Sequence, residues 1–363
     1  MTTALTTART APTVPTVHVP AARPVALLFP GQGAQRARMG AGLYGTEPVF
    51  TAAMDELFAA FGADGDRLRA DWLTGAPIDA VGRAQPLLLG VNHALGRMVL
   101  GWGVRPAALL GHSVGEISAA VLAGVFTLAD AVRVLRDRVC LAEREPAGGM
   151  LAVAASVADL APYLTADVVV GAVNAPRQTL LAGPDGPLDR VVERLTRDGY
   201  TCRRVPSRVA FHSPAMAGLA AASVPLLRTV ALNPPRLPLY SAYTGDLLAV
   251  STATDPAFWA RHPVDPVLFW PTLDRLLRDR DVVLLDASPG QSLAASARRH
   301  PAVRAGHSDV VGLLPARPGP PDADLDAVRA ALARVRAESL SDVEQTFNVA
   351  ANDGAHANPG GDR

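Results

Sequence analysis

The stretch Ala107-Ala108-Leu109-Leu110-Gly111-His112-Ser113-Val114-Gly115-Glu116 decides how the rest of the chain is read. Ala107 to Leu110 is an unbroken apolar run and reads as a short buried strand. Gly111-x-Ser113-x-Gly115 follows at once, and Glu116 to about Gly124 reads as a helix. A serine between two glycines at a strand-to-helix junction is the setting of a nucleophile elbow. The glycines allow a turn too sharp for bulkier residues, and Ser113 is pushed out above the sheet. The helix that begins beside it aims backbone N–H groups and its positive end at the same point. An oxyanion formed there would be stabilised, notably by the N–H of Val114.

Working outward, Val25–Phe29 is a second buried strand, stopped by Pro30-Gly31. Further strands are expected near Leu237–Tyr240 and Val282–Leu285. Helical periodicity covers Phe50–Phe61 and Gln85–Leu100, and Thr127-Leu128-Ala129-Asp130 is a capping-box-like helix start. Alternating strands and helices of this kind predict a mostly parallel sheet. Strands near 150–155, 168–171 and 179–182, with a helix at 187–198, predict an α+β insert. Residues 1–23 are rich in Thr, Ala and Pro and read as a disordered leader; 348–363 read as a disordered tail.

A nucleophilic serine needs a base. Among eight histidines, His212 is favoured by its setting, an apolar run closing on a turn (Val209-Ala210-Phe211-His212-Ser213-Pro214), ahead of His262, His300 and His307. His112 adjoins Ser113 and is expected to point away from its hydroxyl. In the helix after Thr127, Leu128, Ala131, Val132, Leu135, Val139 and Ala142 form an apolar stripe, and Arg138 falls on that inward face. A buried guanidinium needs an anionic partner, either a protein carboxylate or a ligand's. The Gly-rich loop Phe29–Gln35 has Arg36 where a dinucleotide fingerprint has its third glycine; it is better suited to supply a second oxyanion N–H. Cys140 is expected to be a buried small hydrophobe, and Cys202 carries no signal.

Composition narrows the function classes. The 363 residues carry 34 basic and 34 acidic groups, so no excess positive charge is available for nucleic acid. No run of about 18 apolar residues argues for a membrane span, and the N-terminal sequence has no secretory h-region. Two cysteines fit a reducing, cytoplasmic setting. There is no lysine, which removes lysine Schiff-base chemistry, and no zinc-ligand spacing.

Seven words together resemble the malonyl-CoA:acyl carrier protein transacylase family, most closely the acyltransferase domains of polyketide synthases. They are FPGQGAQ (29–35), RAQPLLLG (83–90), GHSVGE (111–116), VNAPRQTLLAGP (173–184), VAFHSPAM (209–216), LYSAYTG (239–245) and FWARHPVDPVLF (258–269). The resemblance covers about residues 24–317. It implies an α/β fold: an α/β-hydrolase-like large subdomain (24–143 and 210–317) with an inserted ferredoxin-like small subdomain (144–209). A C-terminal helical extension (318–347) would follow. It implies ping-pong acyl transfer, with Ser113 as nucleophile, His212 as general base and acid, and backbone N–H groups of Gln32 and Val114 as oxyanion hole. It implies that a backbone carbonyl at His262 orients His212, that Gln85 lines the acyl pocket, and that Arg138 grips the free carboxylate of a malonyl-type substrate. Ala210 and Phe211 resemble malonyl-selecting members, whose phenyl ring crowds an α-substituent; Val209 departs from the polar or aromatic residue usual there. No cofactor is implied. The substrates are a coenzyme A thioester and the phosphopantetheine thiol of an acyl carrier protein, approached through Arg203, Arg204, Arg208 and Arg298. A monomer is the family expectation, and the chain reads as a free-standing, trans-acting enzyme.

Three other readings compete. A serine thioesterase or hydrolase could be assembled as Ser113–Asp286–His300, although it has no use for Arg138. A discrete acyltransferase could shuttle an unusual starter, such as an aminoacyl group, between carrier proteins, and need not keep that arginine. A catalytically silent docking partner for carrier proteins has no use for Ser113, His212 or Arg138.

Overall fold

The computed structural model describes the backbone of residues 23–354 and the side chains of residues 23–338. The expected leader therefore falls almost wholly outside the described residues, as does the tail beyond 354. Ten strands occur among the described residues: β1 (Val25–Phe29), β2 (Ala108–Gly111), β3 (Gly148–Val153), β4 (Val169–Ala175), β5 (Gln178–Pro184), β6 (Cys202–Arg204), β7 (Leu239–Ser241), β8 (Asp246–Leu247), β9 (Val283–Asp286) and β10 (Asp309–Gly312).

Six of them form one sheet in the order β10-β9-β1-β2-β7-β8, parallel except for the short hairpin partner β8. Every residue of β1 is buried. Val25, Leu27 and Phe29 join a core with the helices Pro48–Phe61, Val81–Gly101, Val114–Ala123 and Leu128–Ala142. Ala26 and Leu28 face the opposite core, beside Phe269, Leu273 and Leu276 of the helix Phe269–Asp279. A strand covered on both faces has no polar side to show, hence the unbroken apolar run. From β1 the chain winds first toward β2 and β7, then returns to β9 and β10 on the other side. In such sheets the crevice at the carboxyl ends of the strands is where ligands bind.

The other four strands form an antiparallel sheet in the order β4-β5-β3-β6. With a short helical turn after β3 and the helix Asp185–Arg197 between β5 and β6, this is the βαββαβ arrangement of a ferredoxin-like unit. Leu188, Val191 and Leu195 pin the helix to Leu151, Val153 and Leu181 of the sheet.

Differences from the sequence reading have local causes. The second strand is Ala108–Gly111, one residue later than the apolar run suggests, because the first glycine of the elbow still pairs with Phe29. β6, Cys-Arg-Arg, is an edge strand with too little apolar character to signal itself. The C-terminal helix spans Ala323–Gly354 and so runs through Asn348, where a structureless tail is expected. Once a helix is nucleated, each further residue is added at little cost, and polar residues do not stop it. Cys140 is exposed, on the outward face of Leu128–Ala142, and is not a core residue.

Candidate active site

Ser113 stands between β2 and the helix Val114–Ala123 with φ 55° and ψ −120°. That is a strained backbone for a non-glycine residue, a cost of about 1–3 kcal/mol that the surroundings must impose. They do so by close approach. A Cβ on Gly115 would lie 2.1 Å from the Phe29 carbonyl oxygen, and one on Gly111 would lie 2.2 Å from the backbone of Glu116. Asn92 donates from Nδ2 to the Pro30 carbonyl (3.0 Å) and to Ser118 Oγ (3.3 Å), tying the loop after β1 to the elbow helix. Glu116, fully buried, accepts from the Ala242 N–H at 2.9 Å and fastens the same helix to the end of β7. Burial raises its carboxyl to about 8, so at neutral pH it is largely the uncharged acid.

His212 Nε2 lies 2.9 Å from Ser113 Oγ. Its Nδ1 lies 3.0 Å from the carbonyl oxygen of Asp265. A carbonyl only accepts, so Nδ1 carries the proton and Nε2 presents its lone pair to the serine hydroxyl, which donates. His212 itself has φ 62°, and its N–H is held by the Pro263 carbonyl at 2.6 Å. The carbonyl opposite Nδ1 thus belongs to Asp265, three residues beyond the expected His262. The His262 side chain instead stacks under Tyr243, and its backbone is only a lesser influence on His212. Burial lowers His212 to about 4, helped by the neighbouring His112, so the imidazole is neutral and free to take a proton. His112 points away from the serine hydroxyl, with Nε2 2.8 Å from Asn174 Oδ1 on β4.

Arg138 lies on the inward face of its helix, 5% exposed. Its Nη2 donates to the Trp259 carbonyl at 3.0 Å, in the last turn of the helix Pro256–Arg261, and its Nε has no partner. No described carboxylate pairs with it: the adjacent Asp137 acts on it only at a distance and least among its influences. Burial without a counter-charge lowers its affinity for its proton, but a guanidinium stays charged in proteins. With Gln85, Ser113, Val114, Phe211, His212, Tyr243, His262 and Pro263, it lines a narrow inner pocket. His212 and His262 are both held neutral there, by burial first. The chamber beyond Ser113 therefore offers one positive charge and two uncharged imidazoles.

The wider cleft outside it is lined by Gln32, Gly33, Gln178, Arg203, Val205, Ser292 and Ser296 among others, from loops after β1 and β9 and from the small sheet. Gln85 Nε2 donates to Gln32 Oε1 at 3.0 Å, steadying the loop whose backbone faces Ser113. Val114 is the first residue of its helix, so its N–H has no acceptor within that helix. Of the arginines expected at the mouth, only Arg203 lines the cleft. Arg204 pairs with Asp185 and Asp189, Arg298 donates to Gln291 Oε1, and Arg208 is exposed outside the lining. Ala210 is fully buried and does not line the inner pocket.

The hydrolase triad is not assembled. Asp286 accepts from the Ser288 N–H (2.8 Å), the Ser288 hydroxyl and the Ala294 N–H (2.7 Å), capping the turn after β9. His300 meets Asp274 at 3.1 Å. Sequence reasoning missed three site residues. Asp265 acts through its backbone, which side-chain identity does not reveal. Tyr243 carried no periodicity signal. Glu116 did, as the one acid in an otherwise apolar, buried helix.

The fold and this serine–histidine pair define a protein of the acyl-transfer class, built on an α/β sheet with a ferredoxin-like insert. The chain belongs to the acyl transferase domain family, whose description matches residues 26–350. It is 40% identical over 280 residues to a phenolphthiocerol/phthiocerol polyketide synthase protein of Mycobacterium tuberculosis, covering 76% of this chain and 19% of that protein. It is 32% identical over 309 residues to the spectinabilin polyketide synthase system protein NorB of Streptomyces orinoci, covering 82% and 14%. The chain thus spans a fifth or less of the length of these relatives. Among solved structures, the acyl transferase domain of SpnD in complex with 2-(pent-4-yn-1-yl)malonyl superposes with a TM-score of 0.81 at 32% identity, covering 89% of this chain and 78% of that one. FabD from Acinetobacter baumannii shares the fold, with a TM-score of 0.76 at 24% identity, covering 87% and 99%. No described helix is long and apolar enough to cross a membrane.

Proposed function

We propose that this acyltransferase moves a malonyl-type group from coenzyme A to the phosphopantetheine thiol of an acyl carrier protein, in polyketide biosynthesis. The observation that carries the reading is Arg138: a buried guanidinium inside the acyl chamber, left without a carboxylate by the described residues. A substrate carboxylate would supply the missing charge, in a two-pronged contact if Nε is also used.

The chemistry follows from the proton positions. Ser113 Oγ attacks the thioester carbonyl as its proton passes to His212 Nε2. The oxyanion is held by the N–H groups of Val114 and Gln32. Collapse breaks the C–S bond, and the imidazolium returns the proton to the departing coenzyme A thiol. The carrier's thiol then gives its proton to His212 and attacks the Ser113 ester; the serine oxygen leaves and takes that proton back. The Asp265 carbonyl keeps the tautomer correct without becoming ionised itself. Arg203 is the best placed of the mouth arginines to meet an anionic carrier or its phosphate. No step requires a metal or a resident cofactor.

Intact-protein mass spectrometry after brief incubation with malonyl-CoA tests this. A malonyl adduct on the wild type that is absent from Ser113→Ala is expected. Adduct formation on the mutant would remove Ser113 as nucleophile. A folded wild type that takes no acyl group from any coenzyme A thioester, yet takes one from a loaded carrier protein, would replace coenzyme A as donor.

A further inference from the structure

Tyr243 has no part in the proton transfers above, yet it forms a wall of the chamber in which the acyl group must sit. Its ring lies flat on His262, with centroids 3.8 Å apart and planes 19° from parallel. The His262 ring is in turn 4.8 Å from both Phe258 and Trp259. The Tyr243 ring is also 6.1 Å from that of His212. Its backbone N–H is fixed by Ser241 Oγ at 3.1 Å. The ring is therefore one plate of a packed aromatic stack, and it cannot turn aside without disrupting buried neighbours. Tyr243 lines the same narrow pocket as Ser113 and Arg138, so the plate borders the space shared by nucleophile and carboxylate anchor.

An acyl group bonded to Ser113, with its carboxylate at Arg138, must place its α-carbon between those two groups. Among the residues lining that pocket, Tyr243 and Phe211 carry the large six-membered rings. Building on the malonyl reading, we propose that Tyr243 is a specificity-determining residue that limits the size of the α-substituent, through the bulk of its ring rather than its hydroxyl. A rigid wall rejects an extra methyl or ethyl by overlap, and one methylene typically changes selectivity by about 10- to 200-fold.

The test is a competition. Wild type, Tyr243→Phe, Tyr243→Val and Tyr243→Leu each receive equal malonyl-, methylmalonyl- and ethylmalonyl-CoA, and the acyl-enzymes are resolved by intact mass. Circular dichroism establishes that each variant is folded, and the leucine variant serves if the valine one is not. The expected result is a rise of about tenfold or more in the methylmalonyl-to-malonyl ratio for Val or Leu, with the wild-type ratio kept by Phe. An unchanged ratio in a folded Val or Leu variant overturns the inference. So does a wild type that already loads both equally, or a Phe variant that reproduces the shift. A wild type inert to malonyl-CoA overturns the preceding reading and this one with it; a malonyl-loading wild type with an unmoved ratio overturns this one alone.

Discussion

Arg138→Met separates a ligand-binding arginine from a structural one, because the two roles predict different losses of stability. A structural ion pair would lose stability on truncation, since a buried carboxylate would be left alone at a cost of about 3–5 kcal/mol. Here Arg138 has a carbonyl partner, Trp259, and no described carboxylate partner. Its removal strands the buried Trp259 carbonyl, at about 1–3 kcal/mol, and relieves the desolvation of a buried charge. The two terms oppose each other, so the variant should unfold within about 2 kcal/mol of wild type. Activity should respond more strongly. Malonyl transfer would leave a substrate carboxylate buried without its partner, at about 3–5 kcal/mol. At 1.36 kcal/mol per decade, that is a loss of about two to three and a half orders of magnitude in kcat/KM. Acetyl-CoA has no carboxylate to lose and should be little affected. Urea unfolding and parallel assays with malonyl- and acetyl-CoA measure both halves. A variant destabilised by several kcal/mol, or equally impaired with both thioesters, would refute the carboxylate role.

Three further outcomes are expected. The rate of acyl-enzyme formation should stay flat from about pH 8 down to about pH 5, and fall only near the His212 value of about 4, where the imidazole gains a proton; rapid-quench mass spectrometry across pH checks this, and a mid-point near 6.5 would contradict the buried neutral base. The unfolded chain binds a proton at this position below 6.5 and the folded one only below about 4, so His212 makes stability rise with pH across that window. Glu116 acts in the opposite sense: its folded value of about 8 lies above 4.5, so its contribution fades as pH rises from 4.5 to 8. Glu116→Gln should keep activity and flatten that dependence, whereas Glu116→Ala, which strands the Ala242 N–H, should cost about 1–3 kcal/mol in denaturant melts. Gly115→Ala should abolish the acyl adduct, because its Cβ would meet the Phe29 carbonyl at 2.1 Å; a fully active variant would mean the elbow is looser than described.

How much of this was legible in the chain depends on the range of each signal. The parallel core announced itself because Val25–Phe29 and Leu109–Leu110 are buried on both faces, and such strands admit only apolar residues. The elbow was legible because backbone approaches of 2.1 and 2.2 Å tolerate glycine alone, so the constraint is written at Gly111 and Gly115. Arg138 stood out because helical periodicity puts a charge on an apolar stripe. These are local or periodic effects, and the amino-acid order by itself determined them. What only the tertiary structure decided is who meets whom. His212 is 99 residues from Ser113, and eight histidines share its chemistry; the distance of 2.9 Å exists only after the small sheet has folded between them. The orienting carbonyl moved from His262 to Asp265, since every residue carries an identical carbonyl and only the path of the loop chooses among them. Asp286 and His300 could be drawn as a triad in one dimension, yet turn capping and Asp274 claim them in three. Tyr243 becomes a chamber wall solely because β7 ends beside Ser113 and His262 packs beneath its ring. Periodicity and turn chemistry report on neighbours within a few residues, whereas a catalytic constellation is a set of long-range distances that packing alone sets.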